Sequence, residues 1–585
     1  MIGTTITLNA FRELARRQLA TPLPPDAAVL IPVGVRLLSD QLTPVLAYRR
    51  LVAEDERKAP SFLFESVEGG ERVGRYSIMG AQPATEVTAR GTNIRISHPG
   101  TGPNSHVLRR AVSARQADAA PSDPFAVLKQ LTSGLRLAVP EPGEGIAPLP
   151  DCLLGGWVGY AGYDSVRYVE PSKLGFDSAP LDDRHLPDID FALYDSVVIF
   201  DHVAKLVYVI KLAAVGPNDD PGSAFDAAIH DLEERVRRIE THSRPLRSGV
   251  VGMGEARSGA ASRAERVAPR SNLTVAQHAD MVEAARKYIR AGDVFQVVLG
   301  QRFRITSKTD PFDVYRALRT VNPSPYMGYL QGAGCILVAS SPEILCRVRR
   351  EAVTSPASDA SLRTTRPAGH EHAPQQRRMI VTNRPLAGTR RRGATREEDA
   401  SLERELLADE KERAEHIMLV DLGRNDVGKV AEPGSVRLER LMEIERYSHV
   451  MHISSTVTGV LQAGLDCWDA LRATLPAGTI SGAPKIRAMQ IIDELEPVRR
   501  GPYGGGFGYV SLAGDMDIAL ALRTIVVMPA EDAGEPPSRW EYYIQAAGGI
   551  VHDSQPEAEY QETVNKAAAL VRAVELAESA FGPAP

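Results

Sequence analysis

The sequence predicts an α/β protein, built as one large domain or two closely joined ones. With 585 residues the chain is too long for one simple core. The segments FALYDSVVIFDH and KLVYVIKLAAV are rich in Val, Ile, Tyr and Phe, which predicts neighbouring strands. The segment LTVAQHADMVEAARKYIRAGD has apolar residues at helical spacing and leads into a strand-like run, VFQVVLGQRF.

Two stretches of low complexity divide the chain. Residues 246–270 are polar and lack aromatic residues, so they predict a linker between an N-terminal region, 1–245, and a second region, 271–580. Residues 351–378 lie between strand-like segments and predict a surface hairpin insertion, whose His370 and His372 are more typical of a solvated loop than of a metal site. Further on, TREEDASLERELLADEKERAEHIMLVDLG predicts one long charged helix.

Charge and composition exclude several classes of function. The formal net charge of −6 leaves no basic field for nucleic acid. None of the four cysteines (Cys152, Cys335, Cys346 and Cys467) forms a CxxC pair, so neither zinc nor a disulfide framework is predicted. No apolar run reaches membrane-spanning length. The N-terminal FRELARRQLA fits a surface helix better than a transit peptide, and cysteine usage fits a reducing cytoplasm.

Four acidic residues form two pairs with helical i, i+3 spacing. Glu412 and Glu415 make one pair, and Glu559 and Glu562 make the other. Two such faces brought together would offer carboxylate oxygens to a hard cation such as Mg²⁺. The alternative is that both are solvated faces with ion pairs such as Glu562–Lys566, and the pattern alone favours this alternative.

A Pro/Gly/Thr/Ser loop, ATLPAGTISGAP, opens directly into a helix at Lys485. Backbone amides there, with the hydroxyls of Thr479 and Ser481, suit a carboxylate or a phosphate, although the P-loop spacing is absent. The glycines of GPYGGGFGYV and AAGGIV either admit a ligand close to the backbone or form tight turns.

His449 and His452 are three apart in a strand-like run, so they point to opposite faces and do not share a metal. Either histidine also fits a buried core position.

Taken together, these segments resemble the anthranilate synthase component I family of chorismate-utilising enzymes. The resemblance extends from about Leu30 to Val574, apart from the linker and the insertion. It implies an α+β type of fold, with two face-to-face, mainly antiparallel β-sheets and helices outside. The motifs that carry it, in the family's order, are FLFESVEGGERVGRYSIMG, AGDVFQVVLGQRF, NPSPYMGYL, SSPEIL, RPLAGTRRRG, DEKERAEHIMLVDLGRNDVGKV, YSHVMHISSTVTG, LPAGTISGAPKIRAMQIIDELEP, GPYGGGFGYV and EAEYQETVNKAAAL.

The resemblance implies that chorismate and ammonia are converted, with Mg²⁺, to anthranilate and pyruvate, the first committed step of tryptophan biosynthesis. The alternative, aminodeoxychorismate synthase component I, usually carries a lysine where this chain has Ala387. Isochorismate and salicylate synthases have a lysine near Gln296. No cysteine lies in a Gly-x-Cys-x-Gly elbow, so ammonia is expected from glutamine on a separate glutaminase subunit, which makes a hetero-oligomer.

The resemblance also assigns residues by motif. The catalytic assignments are His452, Thr479 and Lys566. The substrate-binding assignments are Gly388, Thr389, Tyr503, Arg523, Gly548 and Gly549. The metal assignments are Glu343, Glu412, Glu415, Glu559 and Glu562. The assignments to a site for tryptophan as feedback inhibitor are Glu65, Ser66, Asn322, Pro323, Ser324, Pro325, Tyr326 and Met327.

The arginines of RPLAGTRRRG are expected to support the rim of the substrate pocket. The chain departs from the family pattern at Arg391, where proline is usual, at FLFES in place of the commoner FLLES, and in the insertion near Ser355.

Overall fold

The computed structural model describes residues 3–24, 26–52, 59–65, 74–99, 106–116, 123–241, 248–249, 269–352, 377–447, 450–531 and 537–581. The helices are α1 Leu8–Leu19, α2 Pro44–Leu51, α3 His106–Gln116, α4 Pro124–Ser133, α5 Val166–Val169, α6 Pro221–Thr241, α7 Val275–Ala291, α8 Pro311–Val321, α9 Arg396–Ala408, α10 Glu410–Gly428, α11 Cys467–Thr474, α12 Lys485–Leu495 and α13 Pro556–Phe581. The strands are β1 Ala28–Leu38, β2 Ser61–Glu65, β3 Tyr76–Ala81, β4 Thr85–Arg90, β5 Asn93–Ser97, β6 Leu135–Leu137, β7 Gly156–Ala161, β8 Ile189–Tyr194, β9 Ser196–Asp201, β10 Leu206–Val215, β11 Arg270–Ser271, β12 Gln296–Ser307, β13 Tyr326–Gln331, β14 Ile336–Ser341, β15 Ile344–Ala352, β16 Arg377–Arg384, β17 Leu386–Arg391, β18 Arg437–Arg446, β19 Val450–Val460, β20 Gly482–Ala483, β21 Gly506–Ser511, β22 Met516–Leu520, β23 Thr524–Pro529 and β24 Trp540–Ile550.

These strands form two large sheets. In sheet 1 the order is β11-β12-β24-β23-β14-β13-β2-β3-β9-β10-β1-β6, and β20 pairs with β12. In sheet 2 the order is β17-β19-β16-β15-β22-β21-β7-β8-β4-β5, and β18 pairs with β19. Among the described strands every pairing is antiparallel except that of β1 with β6.

The two sheets pack face to face through a layer of aromatic and aliphatic side chains. Phe62 of sheet 1 meets Tyr194 of sheet 2 edge to face, with ring centroids 4.8 Å apart. A Cβ at position 80 would lie 2.5 Å from a ring carbon of Phe62, so Gly80 leaves the space that this ring fills. The outer faces are covered by helices, such as α6, α8 and α13 on sheet 1 and α4 and α11 on sheet 2. The predicted fold class is confirmed.

The predicted helix before VFQVVLGQRF is confirmed as α7, and the strand as β12. Thr274 and Gln277 form a capping box at the start of the helix. Gly292 ends it with a φ of 84°, a left-handed conformation that glycine adopts at little cost. Residues at both ends of α7 therefore fix where the helix begins and where the chain turns into β12.

The segment FALYDSVVIFDH is two strands rather than one. It divides at Asp195 into β8 of sheet 2 and β9 of sheet 1, and only β9 pairs with β10. The Asp195 carbonyl accepts a hydrogen bond from the Leu212 amide, and its carboxylate accepts one from Lys211 at 2.8 Å. These bonds fix the crossing between the sheets, which an uninterrupted apolar run does not reveal.

The prediction of a single long charged helix is also wrong, because the chain bends at Asp409 between α9 and α10. Asp409 is extended, with φ −71° and ψ 110°. Its side chain accepts hydrogen bonds from the amides of Lys411 and Glu412, so it caps the second helix.

Both halves of the chain contribute strands to both sheets. The joints are β2 with β13 in sheet 1 and β7 with β21 in sheet 2. Most of the predicted linker lies outside the described residues, so the domain division stays a prediction. The insertion is flanked by β15 and β16, which pair up to Ala352 and Arg377; residues 353–376, with His370 and His372, are also outside the described part. No helix in the described ranges is long and apolar enough to cross a membrane.

We expect Phe62→Ala to lower the free energy of unfolding by about 3–5 kcal/mol, because it opens a cavity between the sheets. The control is Val203→Ala at a side chain that is 67% exposed, where a change within about 0.5 kcal/mol is expected. Urea unfolding followed by circular dichroism measures both. Equal effects of the two substitutions would contradict a packed inter-sheet layer at Phe62.

Candidate active site

The predicted site residues meet where one edge of each sheet comes together. Strands β17 and β19 form this edge in sheet 2, and β12 and β24 lie at the corresponding edge of sheet 1. Helices α10 and α13 flank the region, and the loop before α12 closes it by pairing β20 with β12. A Cβ at Gly482 in that loop would lie 2.2 Å from the Gln296 carbonyl oxygen, so only glycine permits this approach.

A bulge in β17 orients the imidazole of His452. The register between β17 and β19 shifts between Ala387 and Thr389, and Gly388 has a φ of 62°. This turns the Gly388 carbonyl toward the ring, where it accepts a hydrogen bond from His452 Nδ1 at 3.0 Å. Thr389 Oγ1 lies 3.1 Å from the same nitrogen. Gly388, Thr389 and His452 are therefore assembled as one unit.

The environment of His452 keeps its ring neutral. Burial, together with the charge of Arg523, lowers the pKa of His452 to about 4. A carbonyl oxygen only accepts hydrogen bonds, so Nδ1 carries the proton and Nε2 has the free lone pair. Nε2 is buried and has no hydrogen-bond partner in the described structure. A proton acceptor is thus available at Nε2.

Glu343 is the opposite case, a carboxyl group that keeps its proton. It is buried, and burial raises its pKa to about 8. Its side chain accepts hydrogen bonds from the Thr479 hydroxyl at 3.2 Å and from the Leu386 amide. Glu343 therefore joins the Thr479 loop to the start of β17.

The first pair of acids lies on α10 beside β17. Glu412 accepts a hydrogen bond from Arg390 at 3.3 Å, and a Cβ at Gly388 would lie 3.3 Å from its Oε2. Glu415 Oε1 accepts a hydrogen bond from Gln296 Nε2 at 3.0 Å. Burial and the neighbouring Glu415 raise the pKa of Glu412 despite Arg390.

The second pair lies on α13 over the glycines of β24. A Cβ at Gly548 would lie 3.0 Å from Glu559 Oε2 and 3.7 Å from Glu562 Oε1. The amide nitrogen of Gln296 would be only 2.4 Å from a Cβ at Gly549. Because the same amide binds Glu415, Gln296 lies between the two acidic pairs.

The expected ion pair on α13 is also present. Lys566 Nζ is 2.7 Å from Glu562 Oε1 and donates a hydrogen bond to the Ala547 carbonyl at 2.9 Å. The Tyr503 hydroxyl lies against the same Ala547 backbone. Lys566 and Tyr503 therefore meet at one point of β24.

Within the described ranges, no three His, Cys, Asp or Glu side chains converge closely enough to hold a metal ion. The acids are nonetheless suited to a cation. Glu559 Oε2 is buried without a hydrogen-bond partner, and burial and its neighbour Glu562 raise the pKa of Glu559. An oxygen-only set of carboxylates with this repulsion fits Mg²⁺.

Arg523 approaches the site from the β22–β23 turn. Its φ of 46° is unusual for a residue with a side chain, and its carbonyl accepts a hydrogen bond from the Ser340 amide at 3.0 Å. Its charge acts on His452, so it lies within electrostatic range of the imidazole.

Arg390, Arg391 and Arg392 of RPLAGTRRRG bind acids of α9 and of the turn into α10, and their role as support of the substrate rim stays a prediction. Arg390 binds Glu405 and Asp409, both at 2.8 Å. Arg392 binds Asp399, and the exposed Arg391, at the departure from the family pattern, binds Glu398.

The residues assigned to the inhibitor site form a separate group on sheet 1. Met327 pairs across β13 and β2 with Glu65. The buried Glu65 carboxylate accepts hydrogen bonds from the Tyr315 hydroxyl at 2.6 Å and from Arg319 at 3.1 Å, which attaches α8 to β2. Ser66 and His449 both lie outside the described residues.

The turn that starts at Asn322 is bonded to the strand leading into the active site. Asn322 Nδ2 donates to Ser340 Oγ at 3.2 Å, and this hydroxyl donates to the Asn322 carbonyl. The Ser324 hydroxyl donates to the Ser341 carbonyl. The Ser340 amide in turn donates to the Arg523 carbonyl. Two hydrogen bonds through Ser340 therefore connect Asn322, in the group assigned to the inhibitor, with Arg523, in the group assigned to the substrate. The remaining assignments, in the turn and at the start of β13, are Pro323, Pro325 and Tyr326.

Sequence reasoning missed Glu496 and Arg500. Both are buried beneath the Thr479 loop and bind each other. Their i, i+4 spacing in ELEPVRR was an available signal, but such pairs are common on exposed helices.

The family model described as chorismate binding enzyme matches residues 60–378 and 371–572. Over 565 residues the chain is 49% identical to anthranilate synthase alpha subunit 1, chloroplastic, of Arabidopsis thaliana, with 94% of this chain and 86% of that protein covered. It is 42% identical to anthranilate synthase component 1 of Pseudomonas putida, with 94% and 96% covered.

Among solved structures, the crystal structure of anthranilate synthase component I from Streptococcus pneumoniae is similar to this fold. The TM-score is 0.60 at 31% sequence identity, and the match covers 92% of this chain and 99% of that one. Relatives of this identity span nearly the whole chain. The chain therefore belongs to the family of chorismate-binding enzymes, among the large subunits of anthranilate synthase.

Proposed function

We propose that this enzyme converts chorismate and ammonia to anthranilate, pyruvate and water, with His452 and Glu343 handling the protons. The observation that carries the proposal is this pair: a neutral imidazole with a free Nε2, and a buried carboxylic acid with a raised pKa, which bind Gly388 and Leu386 of the same strand, β17. A base and an acid whose pKa values are displaced in opposite directions are typical of active sites.

Loss of the ring hydroxyl needs a proton donor, and the final aromatisation needs a proton acceptor. The ring hydroxyl leaves as water when it receives a proton, and Glu343, protonated near pH 7, is the suited donor. Ammonia adds to the ring in its place and loses one proton to become the amine. The enolpyruvyl group is then expelled and takes up a proton at its methylene carbon to give pyruvate, while the ring loses the proton from the carbon that bears the amine and becomes aromatic. His452 Nε2 is the suited acceptor of that proton. Glu343, assigned to the metal by resemblance, is thus better placed as an acid.

The remaining four acids would hold Mg²⁺. Glu412 and Glu415 would act from α10, and Glu559 and Glu562 from α13. When bound, Mg²⁺ would neutralise a carboxylate of the substrate and withdraw electron density from the ring.

Substrate carboxylates would be held by cationic and hydroxyl groups. Arg523 offers a bidentate guanidinium, and Tyr503 offers a hydroxyl. Lys566, bound to the Ala547 carbonyl, adds positive charge beside Gly548.

The residues near the ring favour free ammonia as the nucleophile. Ala387 cannot attack the substrate, whereas a lysine can. Gln296 has no basic group to activate water, and its amide is engaged with Glu415. Component I relatives support a partner subunit, which we propose to be a glutaminase that delivers ammonia in a cytoplasmic hetero-oligomer.

Tryptophan would bind beside Glu65 and Met327 and act on the active site through Ser340. In the described structure, Asn322 and Ser324 bind the segment Ser340–Ser341, and Ser340 binds the Arg523 carbonyl. A ligand that shifts the Asn322 turn would therefore displace Arg523.

The purified chain with chorismate, Mg²⁺ and ammonium chloride is expected to produce anthranilate, measured by its fluorescence. EDTA should abolish the signal and added Mg²⁺ restore it, because substrate binding next to four carboxylates requires the cation. Formation of aminodeoxychorismate or isochorismate instead would contradict the assignments of Ala387 and Gln296.

We expect kcat/KM for chorismate, corrected for the concentration of free NH3, to hold down to pH 5 and to fall above about pH 8. His452 stays neutral well below its ordinary pKa, and Glu343 loses its proton near pH 8. Glu343→Gln should remove the alkaline limb and lower kcat by about 10²–10⁴-fold. An acid limb near pH 6.5, or an alkaline limb that persists in E343Q, would refute the assignment.

For regulation, saturating tryptophan should inhibit the enzyme, and Ser340→Ala should raise the half-inhibitory concentration at least about fivefold, because it removes both hydrogen bonds between the Ser340 hydroxyl and Asn322. Calorimetry should show that tryptophan still binds to S340A. The matched control is Ser196→Ala, a buried serine bound to the Ile210 carbonyl. Unchanged wild-type activity at saturating tryptophan would remove the proposed inhibition altogether.

A further inference from the structure

A buried ion pair lies under the loop that carries Thr479. Arg500 is 1% exposed and Glu496 is 4% exposed. Arg500 Nε donates to Glu496 Oε2 at 2.9 Å, and Nη2 donates to Oε1 at 2.6 Å. The guanidinium also lies over the Tyr163 ring, 4.6 Å from its centroid. Such a bidentate pair fixes the direction of the remaining guanidinium donors.

Those donors bind the backbone of two segments of the active site. Nη1 donates to the Ile480 carbonyl at 2.6 Å, next to Thr479. Nη2 donates to the Val298 carbonyl at 2.7 Å, two residues beyond Gln296. On the acid side, Glu496 Oε1 accepts a hydrogen bond from the Gly300 amide at 2.9 Å. One ion pair therefore joins the loop to β12.

The loop that Arg500 holds against β12 also contacts the proposed acid, Glu343, through Thr479. Backbone bonds from Val298 to Ser481 and from Phe295 to Ala483 run along the same contact, but neither reaches Thr479 or Ile480. Arg500 is the described side chain that binds the carbonyl beside Thr479. The Thr479 hydroxyl in turn binds Glu343.

Stability alone does not account for such a pair. Removing two charges from water costs several kcal/mol, and a well-packed apolar replacement is often as stable. The gain from Arg500 is geometric, because planar donors set two carbonyls and a carboxylate in fixed relative positions. These carbonyls belong to segments that meet at the active site rather than to a remote part of the core.

We propose that Arg500 and Glu496 are positioning residues for the reaction, which hold the Thr479 loop against β12 and thereby place the Thr479 hydroxyl on Glu343. This inference rests on the proposed function of the same site. It predicts that disturbing the ion pair changes kinetics per folded molecule, not only the amount of folded protein.

The test is Glu496→Gln, which keeps the shape of the side chain and removes its charge. The matched control is Asp195→Asn, the same change in the buried pair with Lys211 near the other end of sheet 1. Circular dichroism melts give the folded fraction of each variant. For E496Q, kcat/KM for chorismate per folded molecule should fall at least about tenfold, since small displacements in an active site cost up to about 10²-fold. For D195N it should match wild type.

A double-mutant cycle separates positioning from general loosening. If the pair acts through Thr479, Thr479→Ala and Glu496→Gln together should lose much less activity than the product of their separate losses. Multiplicative losses, or an E496Q enzyme as active per folded molecule as D195N, would overturn the inference. Failure of wild type to form anthranilate would instead overturn the proposed function. If E496Q does not fold, Arg500→Lys, which keeps the charge and loses the planar fork, is measured in the same way.

Discussion

The packing of the two sheets against each other determines where every functional group lies. Neither half of the chain completes a sheet, because the joints β2–β13 and β7–β21 link the halves within each layer. Side chains such as Phe62 and Tyr194 then set the spacing between the layers. With that spacing fixed, the edges formed by β12, β24, β17 and β19 meet at one place. The candidate active site lies between these edges, and the flanking helices supply its charges.

The electrostatics of this region arise because its titratable side chains are buried and its carboxylates are not all paired with a cation. Arg390 binds Glu412 and Lys566 binds Glu562, yet Glu559 keeps a buried oxygen with no partner in the described structure. Burial also raises the pKa of Glu343 and lowers that of His452. Each shift favours the uncharged form, as expected where charge is costly. Folding therefore yields a proton donor, a proton acceptor and an excess of carboxylate, which together suit a dianionic substrate accompanied by a divalent cation.

Much of this arrangement was predictable from sequence, and the failures share one cause. The i, i+3 acid pairs do lie on helices, and the α7–β12 unit has end signals that are local. The break at Asp409 and the crossing at Asp195 depend on hydrogen bonds made by a single aspartate, which the surrounding periodicity does not show. Arg500 was missed for a related reason. Its spacing from Glu496 is that of an ordinary surface pair, and only the folded loop shows that its other donors bind Ile480 and Val298.

The proposed acid, Glu343, receives two independent constraints. From one side, the Arg500 pair fixes the loop whose Thr479 hydroxyl binds it. From the other, the Ser341 hydroxyl accepts a hydrogen bond from its amide and donates one to the Leu520 carbonyl at 2.6 Å. The constraint through Ser341 begins at the Asn322 turn, beside the proposed inhibitor site. The constraint through Arg500 does not involve that turn. A ligand at that turn therefore acts on one constraint while the other stays in place, which favours partial displacement of the site over its disassembly.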